Sequence, residues 1–140
     1  MTEAARRAGQ IADAMLAKDE FSRWLGIELL QVRPSWCMCR MSVRPEMVNG
    51  FGVAHGGIVF SLADSALAFA SNTQGRIAMS IENAITYPAS VQPGDLLTAV
   101  AEEESATNRL GFFRVRVTNQ RDDIVALFRG TVYKTSQEHP

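Results

Sequence analysis

The segment from 57 to 73, GIVFSLADSALAFASNT, constrains the fold more than any other part of the chain. Its spacing predicts a helix in which Ile58, Val59, Phe60, Leu62, Ala63, Ala66, Leu67, Phe69 and Ala70 cover most of the circumference. A helix that is apolar nearly all round cannot rest on a surface; it has to be covered on most sides. Its many Ala and Ser residues let neighbouring backbones come close. The expected solution is a sheet curled around this one helix.

The remainder of the chain supplies that sheet. Two strands are expected over 26–33 and 36–44, divided by Pro34, and in the second Cys37, Cys39, Met41 and Val43 alternate with Met38, Arg40, Ser42 and Arg44. Four more are expected near 78–87, 95–104, 111–119 and 124–134, with turns at Pro88, QPGD, ATNRLG and NQRDD. Phe113, Val115 and Val117 fall on one face and Arg114, Arg116 and Thr118 on the other, which suits a sheet with one dry side. The last three strands read as an antiparallel meander. Ahead of them all, Ala5, Ala8, Ala12, Met15 and Leu16 recur at helical spacing and predict a short amphipathic helix over 3–18. Helix, two strands, helix, four strands make an α+β chain, and at 140 residues without repeats or linkers it is expected to be one domain, 1–140.

Fourteen basic against fifteen acidic residues leave a formal charge of -1, so nothing in the balance attracts nucleic acid or an anionic membrane. The longest apolar run is too short and too rich in small residues to span a bilayer. Cys37 and Cys39 share a strand face and lack the partners of a zinc site; a packed apolar pair is expected, with a redox pair as the alternative. The charged N-terminus carries no signal-peptide pattern, and a cytoplasmic protein is expected.

Within the apolar helix one stripe differs. Ser61, Asp64, Ser65, Ala68 and Asn72 share a face that is small-sided and polar enough to line a cleft. Asp64 is the only ionisable residue between His55 and Arg76. An ionised carboxylate buried without a partner costs several kcal/mol, so either a partner or a function accounts for it. The structural explanation is a bond to a backbone turn or to a distant cation such as Arg114 or Arg116. The functional one is a base.

Just ahead of the helix stand His55, Gly56 and Gly57. Glycines allow a tight turn there, and the first helical turn presents unpaired N–H donors with a partial positive charge. Such donors stabilise an oxygen that gains negative charge during reaction. Phosphate binding is the rival use, but Gly50, Gly52 and Gly56 miss the dinucleotide spacing by one, and no Lys-Ser/Thr follows for a P-loop. No G-x-S-x-G makes a nucleophile of Ser61 or Ser65. His55 is open to two readings, catalytic or a brace for the glycine turn.

Together NGFGVAHGGIVFSLAD, SIENAITYPASVQPGD and the final NQRDDIVALFRGTVY resemble the hotdog-fold thioesterases of the phenylacetate-degradation (PaaI-type) branch, over nearly the whole chain. The resemblance implies a long helix wrapped by a curved antiparallel sheet of five to six strands. It implies homodimers with sites at the interface, commonly paired into homotetramers. The implied reaction is metal-free hydrolysis of acyl-coenzyme A, often aryl or (hydroxy)phenylacetyl, in which coenzyme A belongs to the substrate and no cofactor is needed. Residue by residue, Asp64 is implied as general base or nucleophile, Gly56 as the carbonyl's N–H donor supported by Gly57, and Asn49 as a polar positioner. His55 would shape the pocket, Ser65 would face the substrate, Ser80 would help hold water, and Arg109 would meet phosphates. Two other functions stay open: a hotdog acyl-CoA hydratase or dehydratase using His55 with Asp64, and a non-enzymatic acyl-CoA-binding module.

Overall fold

The computed structural model describes residues 1–140. The apolar helix is α3, Gly56–Asn72, and six antiparallel strands surround it: β1 Glu28–Arg33, β2 Trp36–Ser42, β3 Arg76–Thr86, β4 Leu96–Ala106, β5 Leu110–Thr118 and β6 Ile124–Glu138. Their spatial order is β1-β2-β4-β5-β6-β3, one sheet with β1 and β3 at its edges. This is the hotdog arrangement, and β4, β5 and β6 form the expected meander. Every ladder except β2–β4 carries a register shift. Extra residues of this kind bend and twist the strands, which is how a sheet curls around a helix.

The helix is buried as its composition demands: Leu62, Ala63, Ala66, Leu67 and Ala70 have no exposed surface. Cys37, Cys39 and Met41 face it from β2, and Phe113, Val115 and Val117 from β5. The two cysteines are free, buried thiols in this core. The bond and charge shared with Cys37, together with burial, push the Cys39 thiol well up, so it stays protonated and packs as a small apolar residue. Gly130 on β6 faces the helix so closely that a Cβ there would lie 2.5 Å from Leu67 Cδ2. No helix is long and apolar enough to cross a membrane.

The N-terminal helix, α1, runs Glu3–Lys18 and buries Ala8, Ile11 and Ala12. A second short helix, α2 Glu20–Leu25, was not foreseen. Six residues show no periodic stripe, but its boundaries were legible: Asp19 caps its first turn, and Gly26 closes it in the left-handed region at φ 80°. The strands otherwise differ from expectation by a few residues. The largest difference is β6, which runs on to Glu138 so that its end pairs with the start of β3.

Candidate active site

A bulge in β3 builds the floor of the site. Ser80 pairs with Val132 and Glu82 with Thr131, so Ile81 is the extra residue. A one-residue insertion reverses the alternation of side chains beyond it. Ser80 lies opposite buried Val132, and past the bulge it is Asn83 and Ile85, opposite Gly130 and Phe128, that continue the helix-facing row. Asn83 thereby comes beneath α3 and donates from Nδ2 to Asp64 Oδ1 at 3.2 Å. Ser80 donates from Oγ to Asn83 Oδ1 at 2.8 Å, which fixes which way the amide points.

Asp64 therefore has a neutral partner. It is half-buried, its Oδ2 accepts no hydrogen bond within the chain, and no Arg, Lys or His pairs with it. The distant arginine considered for it lies elsewhere: Arg114 donates from Nε to Glu102 at 2.7 Å on the exposed side of the sheet. Burial pushes the Asp64 carboxyl above the usual aspartate range, the Asn83 bond pulls it back, and the charge of Asp19 raises it further. A carboxylate in this state is a stronger base than a solvated one and keeps a free oxygen for water.

At the other end of the helix His55 is the N-cap of α3, and its Nδ1 accepts the Gly57 N–H at 2.9 Å. That bond requires an unprotonated Nδ1, so the ring braces the glycine turn as the neutral tautomer. It also takes up the Gly57 donor. The Gly56 N–H makes no hydrogen bond within the chain, which leaves it as the open donor of the helix N-terminus. Tyr87, which sequence reasoning missed, donates to the Gly56 carbonyl at 2.7 Å. A Cβ on residue 56 would sit 3.1 Å from the Tyr87 hydroxyl, so glycine is what lets the ring approach.

Asn49 shapes the loop leading to this turn. Its Oδ1 accepts the N–H groups of Phe51 at 2.9 Å and Val53 at 3.4 Å, and its backbone N–H donates to the Val53 carbonyl at 2.8 Å. Gly52 adopts φ 80° within that loop. The Asn49 carboxamide oxygen is thus spent on the fold, and its Nδ2 donors are free.

The polar stripe divides rather than lining one cleft. Ser65 is buried, and its Oγ lies 2.7 Å from Ser22 Oγ of α2, so it joins two helices instead of facing a cleft. Asn72 is buried too: it donates to the Ala78 carbonyl and accepts the Ala78 N–H, locking the start of β3 to the end of α3. Ser61 donates to the Gly57 carbonyl at 2.7 Å. Only Asp64, with Ala68 and Ser61 beside it, remains partly open. Arg109 stands apart, in the turn between β4 and β5, exposed and 3.3 Å from the Tyr133 hydroxyl. Its carbonyl is bonded to the Lys134 N–H, four residues along β6 from the Gly130 that faces Asn83, or about 13 Å of strand. No group of three or more His, Cys, Asp or Glu comes together to hold a metal.

A helix-wrapping hotdog sheet with a raised acid on the helix and an open amide at its N-terminus defines a class, the hotdog-fold thioester hydrolases. Residues 51–126 match the thioesterase superfamily, and the chain belongs to that family. Within it, the acyl-coenzyme A thioesterase PaaI of Escherichia coli is 35% identical over 128 residues, 91% of either chain. The solved structure of the E. coli PaaI protein from the phenylacetic acid degradation operon superposes with a TM-score of 0.95 at 33% identity, over 97% of this chain and 99% of that one. A Streptococcus mutans protein solved with acetyl CoA bound has a TM-score of 0.78 at 25% identity, over 81% of this chain and 91% of that one.

Proposed function

We propose that this chain hydrolyses acyl-coenzyme A thioesters at sites shared between two copies of itself, with Asp64 activating water and Gly56 binding the carbonyl oxygen. The single observation that carries the reading is the state of Asp64: a half-buried carboxylate, held by one neutral donor, raised in pKa and with an oxygen to spare. A general base works best with its pKa near the working pH, and burial moves Asp64 in that direction. A thioester carbonyl is poorly conjugated with its sulfur. Water, a base and a donor for the developing oxyanion are therefore sufficient for its hydrolysis.

The two groups do not meet within one chain. Eight residues of helix separate Gly56 from Asp64, about 12 Å of rise. The Gly56 N–H points out past the N-terminus, away from Asp64. A second copy resolves this by bringing its own Asp64 to the first copy's glycine turn. Strand β3 supports the pairing: it is an eleven-residue edge strand on which Met79 and Ile81 are each 60% exposed. A long apolar edge of this kind is a template for another strand.

The acyl group is proposed to be aryl or arylacetyl, as the operon of the E. coli relative suggests. Coenzyme A enters as part of the substrate, as in the relative bound to acetyl CoA. Arg109, exposed at the end of the sheet, is proposed as a phosphate contact. Ser80 acts through Asn83, and the free Nδ2 of Asn49 is the polar positioner beside the carbonyl. Two buried free thiols fit a reducing, cytoplasmic setting.

Thiol release from a panel of acyl-CoAs tests this, with phenylacetyl, hydroxyphenylacetyl, benzoyl and straight-chain members. Asp64→Asn is expected to lower turnover by about 10²–10⁴, the usual contribution of a positioned base. Undiminished turnover in that variant would sink the assignment. Conversion of an enoyl or 3-hydroxyacyl thioester without thiol release would point to a hydratase instead, and binding without turnover to a carrier. Entry of ¹⁸O from water into the Asp64 carboxylate during a single turnover would make Asp64 the nucleophile.

A further inference from the structure

Tyr87 stands one residue beyond β3 and is 44% exposed, yet its hydroxyl donates to the Gly56 carbonyl at 2.7 Å. A phenol this open can be satisfied by water, so burial does not force the contact. The bulge at Ile81 accounts for its direction. Beyond that bulge the helix-facing row is Asn83, Ile85 and, continuing the alternation, Tyr87. Asn83 meets α3 at Asp64, and Tyr87 meets it at Gly56, where a Cβ would lie 3.2 Å from the ring's Cζ. Four residues of extended chain, about 13 Å, match the eight residues of helix, about 12 Å, between Asp64 and Gly56. One edge segment is therefore in register with both groups proposed to act on the thioester.

We infer that Tyr87 is a positioning residue for the reaction: its hydroxyl, acting through the Gly56–Gly57 peptide, sets where the open Gly56 N–H points. This rests on Gly56 being the donor to the thioester carbonyl. The Gly56 carbonyl and the Gly57 N–H belong to one planar group. Tyr87 holds that plane at its oxygen, and His55 Nδ1 holds it at its N–H, 2.9 Å away. The preceding plane carries the Gly56 N–H, and its oxygen, the His55 carbonyl, accepts the Ile58 N–H at 2.9 Å. The two planes meet at the Gly56 Cα, where no side chain limits rotation. Bonds from outside the residue have to fix what glycine leaves free, and Tyr87 supplies the one that comes from another strand. Hydrogen bonds in series also polarise one another, so donation by Tyr87 strengthens the bond from Gly57 to His55. That bond keeps the proton of the neutral ring on Nε2.

The experiment is Tyr87→Phe, which keeps the ring and removes only the hydroxyl. The single-turnover rate constant at saturating substrate and KM are measured on the acyl-CoA that the parent hydrolyses fastest, beside the ¹H–¹⁵N NMR signal of the Gly57 amide. The rate constant is expected to fall about 3–10-fold, the worth of one ordinary hydrogen bond, with KM close to the parent's. The Gly57 amide proton should move upfield as its bond to His55 weakens, while the retained ring leaves its own magnetic effect in place. A Tyr87→Phe rate constant equal to the parent's overturns the inference, whether or not the amide moves. So does a lower rate constant with an unmoved Gly57 amide, because the hydroxyl then acts on the substrate and not on the turn. If Asp64→Asn is inactive while Tyr87→Phe matches the parent, the role of Tyr87 falls and the proposed hydrolysis stands. If the parent releases no thiol from any acyl-CoA, the proposed function has failed and the inference with it.

Discussion

Gly130 is where the fold and the proposed chemistry meet, and Gly130→Ala perturbs both through one methyl group. The residue sits on β6 between Asn83 of β3 and Phe113 of β5, with α3 directly above it. A Cβ built there lies 2.5 Å from Leu67 Cδ2, 2.6 Å from Asn83 Oδ1 and 3.2 Å from Phe128 Cε1. Carbon atoms rest at about 3.5–4.0 Å, so about 1 Å of overlap has to be relieved. Leu67 and Phe128 are sealed in the core, whereas Asn83 is partly open, so Asn83 is the neighbour that moves.

The consequence divides into two readings of the same variant. Overpacking of a tight core costs about 1–3 kcal/mol, and each kcal/mol lowers Tm by roughly 2–4 °C for a chain near this size. Displacing Asn83 also breaks its bond to Asp64. That bond favours the charged carboxylate, so losing it raises the Asp64 pKa further and moves the acid limb of kcat/KM to higher pH. Thermal unfolding at one fixed protein concentration measures the first effect, and the pH profile measures the second. Asn83→Ala is the companion variant, with the same displacement of the acid limb and no overpacking. If Gly130→Ala unfolds with the parent and keeps its acid limb, the close approach of helix and strand is not what holds Asn83 beneath Asp64.

Asp64 itself should stabilise the fold when it is neutralised. Burial raises its folded pKa, so the folded chain binds more protons than the unfolded one in the window above the usual aspartate range, and stability falls as pH rises through the folded value. Asp64→Asn is therefore expected to unfold at a higher temperature than the parent at neutral pH, with the difference closing as pH drops below the unfolded aspartate range; a parent that is the more stable at neutral pH would contradict this. At the β3 edge, Ile81→Asp should leave a monomer by sedimentation that releases no thiol, and an active monomer would refute the shared site. Mixing inactive Asp64→Asn chains with inactive Gly56→Pro chains, which lose the N–H and also crowd Tyr87, should restore turnover through hybrids that hold one intact site; no recovery from verified hybrids would mean that both groups act within one chain.

What could be read from the chain beforehand depended on how local the cause was. The wrapped helix followed from its own composition, because no other burial satisfies apolar residues on nearly every side. Helix geometry likewise indicated unpaired donors in the first turn, among which the family resemblance singled out Gly56, and the cost of an acid in such company marked Asp64 as needing a partner or a function. The identity of Asp64's partner did not follow, because the bulge at Ile81 turns Asn83 inward and no periodicity announces a bulge. A faint signal existed, since Asn is a poor strand former and stands here in the middle of a strand. Tyr87 was hidden for the same reason: it acts on a helix that the fold, not the sequence order, brings beside it. Ser65 shows the converse error. Helical spacing grouped it with Asp64, but adjacent residues on a helix point about 100° apart, so one can meet a cleft and the next another helix, and α2 was too short to be foreseen. Spacing along one element therefore indicates which residues share a side, while the partners on that side are decided by bulges, caps and edges contributed from elsewhere in the chain.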